Sequence, residues 1–480
     1  MTPVASNRGL VTGQAIDAIG SNNTYKVNFY DDRARVLQTI STAWPQGKDT
    51  ISYQYDFTGK VLRKLESQNN PGAATTSYMA STKMSYDPMG RATSTWLRMR
   101  GETSDHLIDS MKYDELGQLT TKVLGDFLDK QVYEHNIRGW LKGINRDYIR
   151  GNSQNYFAEE LGYDSTGSAA IGNSFQGLQY NGNIAGQVWK SAGDGLSRRY
   201  DFNYDNVNRL LDANFFQNTS GTNWDKDKID FSVHNLAYDP NGNILKMDQY
   251  GFKLGGSAPI DQLTYGYITN SNRLNTVVDA QNDLNSMLGD FHYSSARTGQ
   301  DYRYDGNGNL GVDKNKGIFG ISHNFLNLSE YFQLPGKGSI QYTYTADGNK
   351  VRKIVWDSVA RRINTTYYNN GFVYSQTDSF VHNPGTTDTL QFVQHAEGRA
   401  RWALHHYTNG TTGYAWEYDF MERDDLGNTR VLLTQERDTA QYMATIEAAY
   451  RSKELAIFYN VDSTSFGTWW LSGRWHDEPE

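Results

Sequence analysis

One seven-residue unit recurs along this chain and constrains its fold more than any bulk property. It reads Tyr-Asp, two variable residues, Gly, a polar or basic residue, then an aliphatic one. Copies are YDFTGKV from Tyr55 to Val61, YDPMGRA from Tyr86 to Ala92, YDELGQL from Tyr113 to Leu119, YDPNGNI from Tyr238 to Ile244 and YDGNGNL from Tyr304 to Leu310. Degenerate copies lie between them. Ala34 replaces Gly in YDDRARV (Tyr30 to Val36), Asn208 replaces it in YDNVNRL (Tyr204 to Leu210), Thr345 replaces Asp in YTADGNKV (Tyr344 to Val351), and Tyr163 to Gly167 keeps YDSTG. The starts at Tyr30, Tyr55, Tyr86 and Tyr113 are 25, 31 and 27 residues apart, a spacing typical of stacked-repeat architectures.

The unit encodes a turn. A type I turn favours Asp at its first position, Pro at its second and Gly at its fourth. Asp87-Pro88-Met89-Gly90 and Asp239-Pro240-Asn241-Gly242 meet all three preferences. The Asp carboxylate accepts a backbone N–H two residues on, and Gly takes the positive φ that lets the return strand pair. The residues expected to set these turns are Asp56 and Gly59, Asp87, Pro88 and Gly90, Asp114 and Gly117, Asp239, Pro240 and Gly242, Asp305 and Gly308, Gly348, and Gly427. Asn208 suits the left-handed position next best. Ala34 suits it poorly, so the turn at Asp31 is expected to differ.

The flanks alternate as strands do. Ile340, Tyr342 and Tyr344 share one face against Gln341 and Thr343; Tyr200, Phe202 and Tyr204 share one against Asp201 and Asn203. Period two with aromatic and β-branched residues means half-buried strands. A single hairpin is marginal in water, so each must stack on neighbours to bury its aromatic face. The 33 Tyr, 45 Gly and 9 Pro suit many strands and tight turns, and the 13% aromatic share argues against disorder. Polar stretches such as Ser67 to Ser81 and Asn218 to Asn223 read as surface connections.

The formal net charge is -8, without a long basic run, which disfavours nucleic acid as a partner. There is no Cys, so disulfides, Cys-ligated zinc and thiol nucleophiles are excluded. No apolar stretch is long enough to span a bilayer as a helix, and no signal peptide opens the chain.

Five further segments accompany the repeats: NIRGWLKGIN (Asn136 to Asn145), QYNGNIAGQVWKS (Gln179 to Ser191), HNFLNLSEYF (His323 to Phe332), LQFVQHAEGRARW (Leu390 to Trp402) and DDLGNTRVLLT (Asp424 to Thr434). Together with the Tyr-Asp units they resemble the YD repeats of the RHS family in its Bacteroidetes-like form, over nearly the whole chain. That family includes bacterial toxin shells, toxin-complex proteins and the animal teneurins. The resemblance implies an all-β fold, a long spiral sheet of stacked β-hairpins of the RHS cocoon type, here an incomplete stretch of the shell. It implies a repeat array over residues 8–385, the start of an RHS-associated core over 386–435, and a tail over 436–480. Within the tail, Tyr442 to Asn460 has the composition of a short helix or of a further strand region.

The function so implied is structural and non-enzymatic: a shell segment enclosing or displaying a C-terminal toxin polypeptide, secreted or at a bacterial cell surface. An alternative on the same repeats is a surface adhesin or carbohydrate-binding module with glycans as ligands. Two departures stand out. The Tyr-Pro-Phe-Gly-like continuation of the family core is missing, and Asp425 stands where this lineage usually shows His. No segment matches the Pro/Asp-rich stretch that carries self-cleavage in many toxin shells, so no protease residue is implied.

Several local motifs have structural roles that compete with a chemical one. Asp56, Asp87, Asp114, Asp239 and Asp305 could suggest acid–base chemistry, but a turn Asp has a local hydrogen-bonding task. Counted from Asp305, a calcium loop would need Gly and Glu where Leu310 and Lys316 stand. His395, Glu397, His405 and His406 lack zinc-site spacing. Gly182, Gly186 and Gly193 lie in a loop-rich stretch without a nucleotide-binding pattern. No cofactor, metal or catalytic residue is therefore expected. Trp140, Trp189, Trp356, Trp402 and Trp416 are candidates for sugar stacking if exposed, and for sheet packing if buried.

Overall fold

The computed structural model describes residues 9–16, 24–44, 46–164, 168, 175, 177–218, 223–253, 256–283, 289–293, 299–380, 387–406 and 411–436. The expected helix or strand region at Tyr442 to Asn460 lies outside them. The described residues are almost entirely antiparallel strands, with one short helix at Arg146–Ile149. They form two compact units. One comprises Met1–Gln131, Tyr304–Glu422 and Leu432–Arg437; the other includes Val132–Arg303 and Arg423–Val431.

In the first unit, strands from Gly13–Ile16 to Leu119–Leu124 pair in chain order, each antiparallel to the next. Strands from Gly320–His323 onward form a second meander. In the second unit the same order holds from Leu141–Ile144 to Leu274–Asp279. Sequential pairing follows from short turns, which make each hairpin strand the nearest partner of the one before.

The ladder register slips by one residue at the repeat tyrosine: between Phe29 and Tyr30, Gln54 and Tyr55, Ser85 and Tyr86, and Lys112 and Tyr113. This is the bulge that accompanies a type I turn closed by a left-handed residue. Gly90 has φ 87°, and its N–H donates to Asp87 O at 2.9 Å while Asp87 N–H donates to Arg91 O at 2.9 Å. Ala34 adopts φ 61° with the same two bonds around Asp31, so the turn there does not differ. The Asp31 carboxylate accepts the N–H groups of Arg33 and Arg35 and the Arg35 guanidinium. That local network outweighs the modest Cβ strain of alanine.

Burial departs from the simple two-face expectation. Arg199 and Asp201 are buried opposite half-buried Tyr200 and Phe202, and Thr343 is buried beside half-buried Tyr342. The polar face is covered because other segments pack on it, as the Phe175 ring does under the Arg199 guanidinium at 5.2 Å. Gly186 lies in the strand Gly186–Ser191, not in a loop, directly across from Gly162. A Cβ on either glycine would stand 2.1 Å from the Phe175 ring, so the pair forms the slot that holds it. Ser67 to Ser81 is likewise no surface loop. It is mostly strand, and Gln68, Asn70 and Ala73 are buried because later strands cover them.

Candidate functional site

The repeat positions build a ladder between successive hairpins. Five repeat tyrosines donate their hydroxyls to backbone carbonyls that precede their own hairpins: Tyr55 to Val36 at 2.7 Å, Tyr86 to Val61 at 2.9 Å, Tyr113 to Ala92 at 2.9 Å, Tyr204 to Ile184 at 2.8 Å, and Tyr238 to Leu210 at 2.6 Å. A carbonyl at a bulge has no ladder partner of its own, so this donor satisfies it.

The basic residue after the turn glycine makes the reverse connection. Arg35 reaches Asp56 O at 2.7 Å and lies over the Tyr55 ring at 4.8 Å. Arg209 reaches Asp239 O at 3.0 Å and lies over Tyr238 at 4.7 Å. Arg91 lies over Tyr113 at 4.7 Å. Where Asn replaces the cation, amides bridge instead: Asn241 and Asn243 both donate to Asn272 Oδ1, and Asn307 and Asn309 to Asn327 Oδ1.

The turn carboxylates are engaged by their own turns. Asp56 accepts the Thr58 hydroxyl and Lys60 N–H; Asp87, Asp114, Asp239 and Asp305 each accept the N–H four residues on. The Arg209 N–H, then its guanidinium and the Val207 N–H, hold the Asp205 carboxyl below the usual range against the opposing effect of desolvation. Gly59, Gly117, Gly242, Gly308, Gly348 and Gly427 all have positive φ, and Pro88 and Pro240 occupy the second turn position.

The same geometry reveals copies that sequence comparison by Tyr-Asp did not register. Asn136 accepts the N–H groups of Arg138 and Trp140, with Gly139 at φ 81°. Asn324 accepts those of Leu326 and Leu328, with Asn327 at φ 59°. These linker segments are repeats in which His-Asn stands for Tyr-Asp; the readable signal was the side-chain acceptor three residues before Gly or Asn.

A second set of contacts is confined to the first unit and joins its two meanders through buried polar groups. Asn369 brackets the Trp44 backbone at 2.9 and 2.8 Å, and Asn370 donates to Asp49 Oδ2 at 2.9 Å. The Tyr374 hydroxyl donates to Gln68, Asn70 donates to Asp388 at 3.0 Å, and Tyr418 donates to Glu102 at 2.8 Å. Lys122 Nζ meets Glu397 Oε2 at 2.9 Å.

Several carboxyls in this seam hold their protons unusually tightly. Burial raises Asp49 to about 7, against the opposing Asn370 amide. Burial and then the Glu397 charge raise Asp109 to about 6. Burial and a hydrogen bond shared with Asp129 raise Glu422. Near them Asp419, fully buried, is bound by Arg399 at 2.8 Å and Arg401 at 2.7 Å. Those two cations overcome desolvation and keep its pKa low.

The second unit carries buried ion groups that no sequence spacing announced. Arg146 joins Glu160 and Glu134. Asp261, Asp279 and Asp290 each bring a carboxylate oxygen within 4.8 Å of the others, the one such grouping with metal-ligand character among the described residues. Lys253 Nζ stands 3.9 Å from Asp290 and offsets part of that charge. His395 and His405 belong to the first unit, where His405 pairs with Glu417. Of the tryptophans, Trp416 is buried. Trp140 tilts against Tyr163 and Trp189 stacks on Tyr200, while Trp356 and Trp402 are exposed.

No protein-family model matches the chain, and no curated protein matches it. Solved structures do. The TcdB2–TccC3 crystal structure superposes with a TM-score of 0.52 at 14% identity, over 86% of this chain and 23% of that one. The form of TcdB2–TccC3 without its hypervariable C-terminal region gives 0.51 at 13% identity, over 86% and 22%. The Photorhabdus luminescens Tc holotoxin pore gives the same values. The chain thus has an RHS-like fold of antiparallel hairpins and spans less than a quarter of the length of the structures it matches.

Proposed function

We propose that this chain is a non-enzymatic wall segment of an RHS-type shell, which encloses or displays a toxin polypeptide and acts outside the bacterial cell or at its surface. The observation that carries the reading is the inter-repeat ladder. In these units the Tyr hydroxyl holds the preceding hairpin, the Arg or Asn side chain reaches the next one, and the Asp carboxylate fixes its own turn. Such a surface is built for continuity of the sheet rather than for converging on a substrate. The likeness of fold to TcdB2–TccC3 supports the same reading. Cryo-electron microscopy of the chain with its native downstream sequence tests it. Density enclosed by a continuous β wall is expected; a wall with no polypeptide inside or attached rejects the toxin-holding role.

A second reading, a glycan-binding surface module, is favoured by one observation. Trp402 and Tyr414, 44% and 63% exposed, stack at 6.4 Å and 20° on one sheet face, a platform suited to the apolar face of a sugar ring. A glycan array with wild type and Trp402→Ala decides it: signal lost in the variant supports this reading, and no signal in wild type removes it.

A further inference from the structure

We propose that Lys122 and Glu397 condense spontaneously into an amide cross-link, with buried Asp109, on the same sheet face as Lys122, as the proton relay. The inference is independent of what the shell holds.

Lys122 lies on the strand Leu119–Leu124, and Glu397 in the tight turn between Thr389–His395 and Gly398–His406. Nζ and Oε2 are 2.9 Å apart, and the two side chains are 17% and 13% exposed. The Glu397 backbone is held on both sides: its N–H donates to His395 Nδ1 at 3.3 Å and its carbonyl accepts the Met421 N–H at 2.8 Å. Asp109 pairs with Leu124 across the adjacent ladder. Residues two apart on a strand share a face, so Asp109 and Lys122 lie on the same side of the sheet with fully buried Leu124. Asp109 is 2% exposed, and its Oδ1 is buried without a hydrogen-bond partner. Burial and the Glu397 charge raise its pKa, against Lys122 and the Thr95 hydrogen bond. Glu422, whose pKa is raised by burial and then by a hydrogen bond with Asp129, also faces the Lys122 charge.

In water an ammonium and a carboxylate remain an ion pair. Away from water the charged forms are disfavoured, and moving one proton from Nζ to Glu397 leaves a neutral amine facing a neutral carboxylic acid. The amine nitrogen attacks Cδ, the N–Cδ bond forms and the Cδ–OH bond breaks. The hydroxyl leaves as water with a proton from nitrogen, which Asp109 relays by giving its own proton to the leaving hydroxyl and taking one from the amine. Nothing is oxidised or reduced, and no co-reactant is needed. Fixing the partners at contact replaces a bimolecular encounter by an intramolecular one, worth effective concentrations of about 10⁵ M or more. The product ties residues 275 positions apart across the seam of the first unit.

The test is the intact mass of the full chain, freshly made by cell-free synthesis, followed over time and read under denaturing conditions, with folding checked by near-ultraviolet circular dichroism. Wild type is expected to lose the mass of one water and to yield one branched tryptic species joining Lys122 to Glu397. Glu397→Gln should form the same link with loss of ammonia, and Lys122→Arg should form none. Asp109→Asn should slow the reaction about a hundredfold, the scale of a lost proton-transfer group, and remove the decline in wild-type rate as pH rises through about 6. A folded wild-type chain that keeps its full sequence mass, with the Lys122 peptide unlinked, overturns the proposal. A link from Lys122 to Asp109 overturns Glu397 as the acceptor. An unchanged rate and pH profile in folded Asp109→Asn overturns the role of Asp109.

Discussion

Replacing Gly90 by Val should destabilise the first unit far more than replacing its neighbour Met89 by Val. Gly90 sits at φ 87°. An L-residue there brings Cβ against the following carbonyl at a cost of about 1–2 kcal/mol, and β-branching places valine at the upper end. A Cβ at this position also stands 2.6 Å from Lys60 Cε and 2.9 Å from its Nζ. The lysine tail must swing away from the Tyr86 ring, over which Nζ now lies at 5.9 Å, losing roughly 0.5 kcal/mol. The sum is about 2–3 kcal/mol. Met89 is 81% exposed, and its replacement should stay within about 0.5 kcal/mol.

Gly242 provides an internal control. It has the same φ of 87° but no atom within 4 Å of its Cβ position, so Gly242→Val should lose only the backbone part. Gly90→Ala should cost about 1 kcal/mol for the backbone, which Ala34 already tolerates at φ 61°, plus the same displacement of Lys60, roughly 0.5 kcal/mol. Thermal melts should show a fall of about 5 °C for Gly90→Val, and hydrogen exchange should report faster exchange at the N–H groups of Asp87 and Gly90. Equal melting shifts for Gly90→Val and Met89→Val, or unchanged exchange at those two groups, would refute the reasoning.

Three other outcomes follow from the same contacts. Tyr86→Phe removes the 2.9 Å bond to Val61 O and should cost about 1 kcal/mol, visible as a lower urea midpoint, with the larger change in exchange between the two hairpins it joins. Asp49 keeps its proton to about pH 7 when folded but only to its ordinary value near 3.8 when unfolded, so its contribution is complete below about pH 4 and is lost as pH rises through 7; Asp49→Asn should therefore raise stability at pH 8 and change little at pH 4, as read by denaturant titrations at both. Arg401→Ala leaves the buried Asp419 carboxylate to Arg399 alone; a loss of about 3 kcal/mol that shrinks toward acid pH, because removing one of the two cations that keep its pKa low lets the carboxyl protonate sooner, is expected in unfolding curves across pH.

What the sequence by itself determined is local. A carboxylate that reaches the N–H of a residue two or four places on, and a position that needs positive φ, are set within one turn, so the loop from Asp239 to Asn243 is closed by bonds of its own. Alternating aromatic residues then make strands, and turns this short make consecutive strands pair, which is why an all-β, sequential-hairpin fold was readable. Glycine preference alone does not decide the turn at Ala34, because the Asp31–Arg35 network holds the conformation. In the His-Asn repeats the shared feature is the side-chain acceptor, not the Tyr-Asp pair itself.

Only the tertiary structure decided which polar residues are buried. Gln68 and Asn70 read as surface connection until Tyr374 and Asp388, some 300 positions later, close over them, and Asn370 covers Asp49 in the same way. Lys122 and Asp109 meet Glu397 for the same reason. A repeat pattern specifies how each hairpin meets its immediate neighbour. Which hairpin returns to cover another is fixed by side-chain fit and desolvation between segments far apart in the chain, which no short-range periodicity encodes.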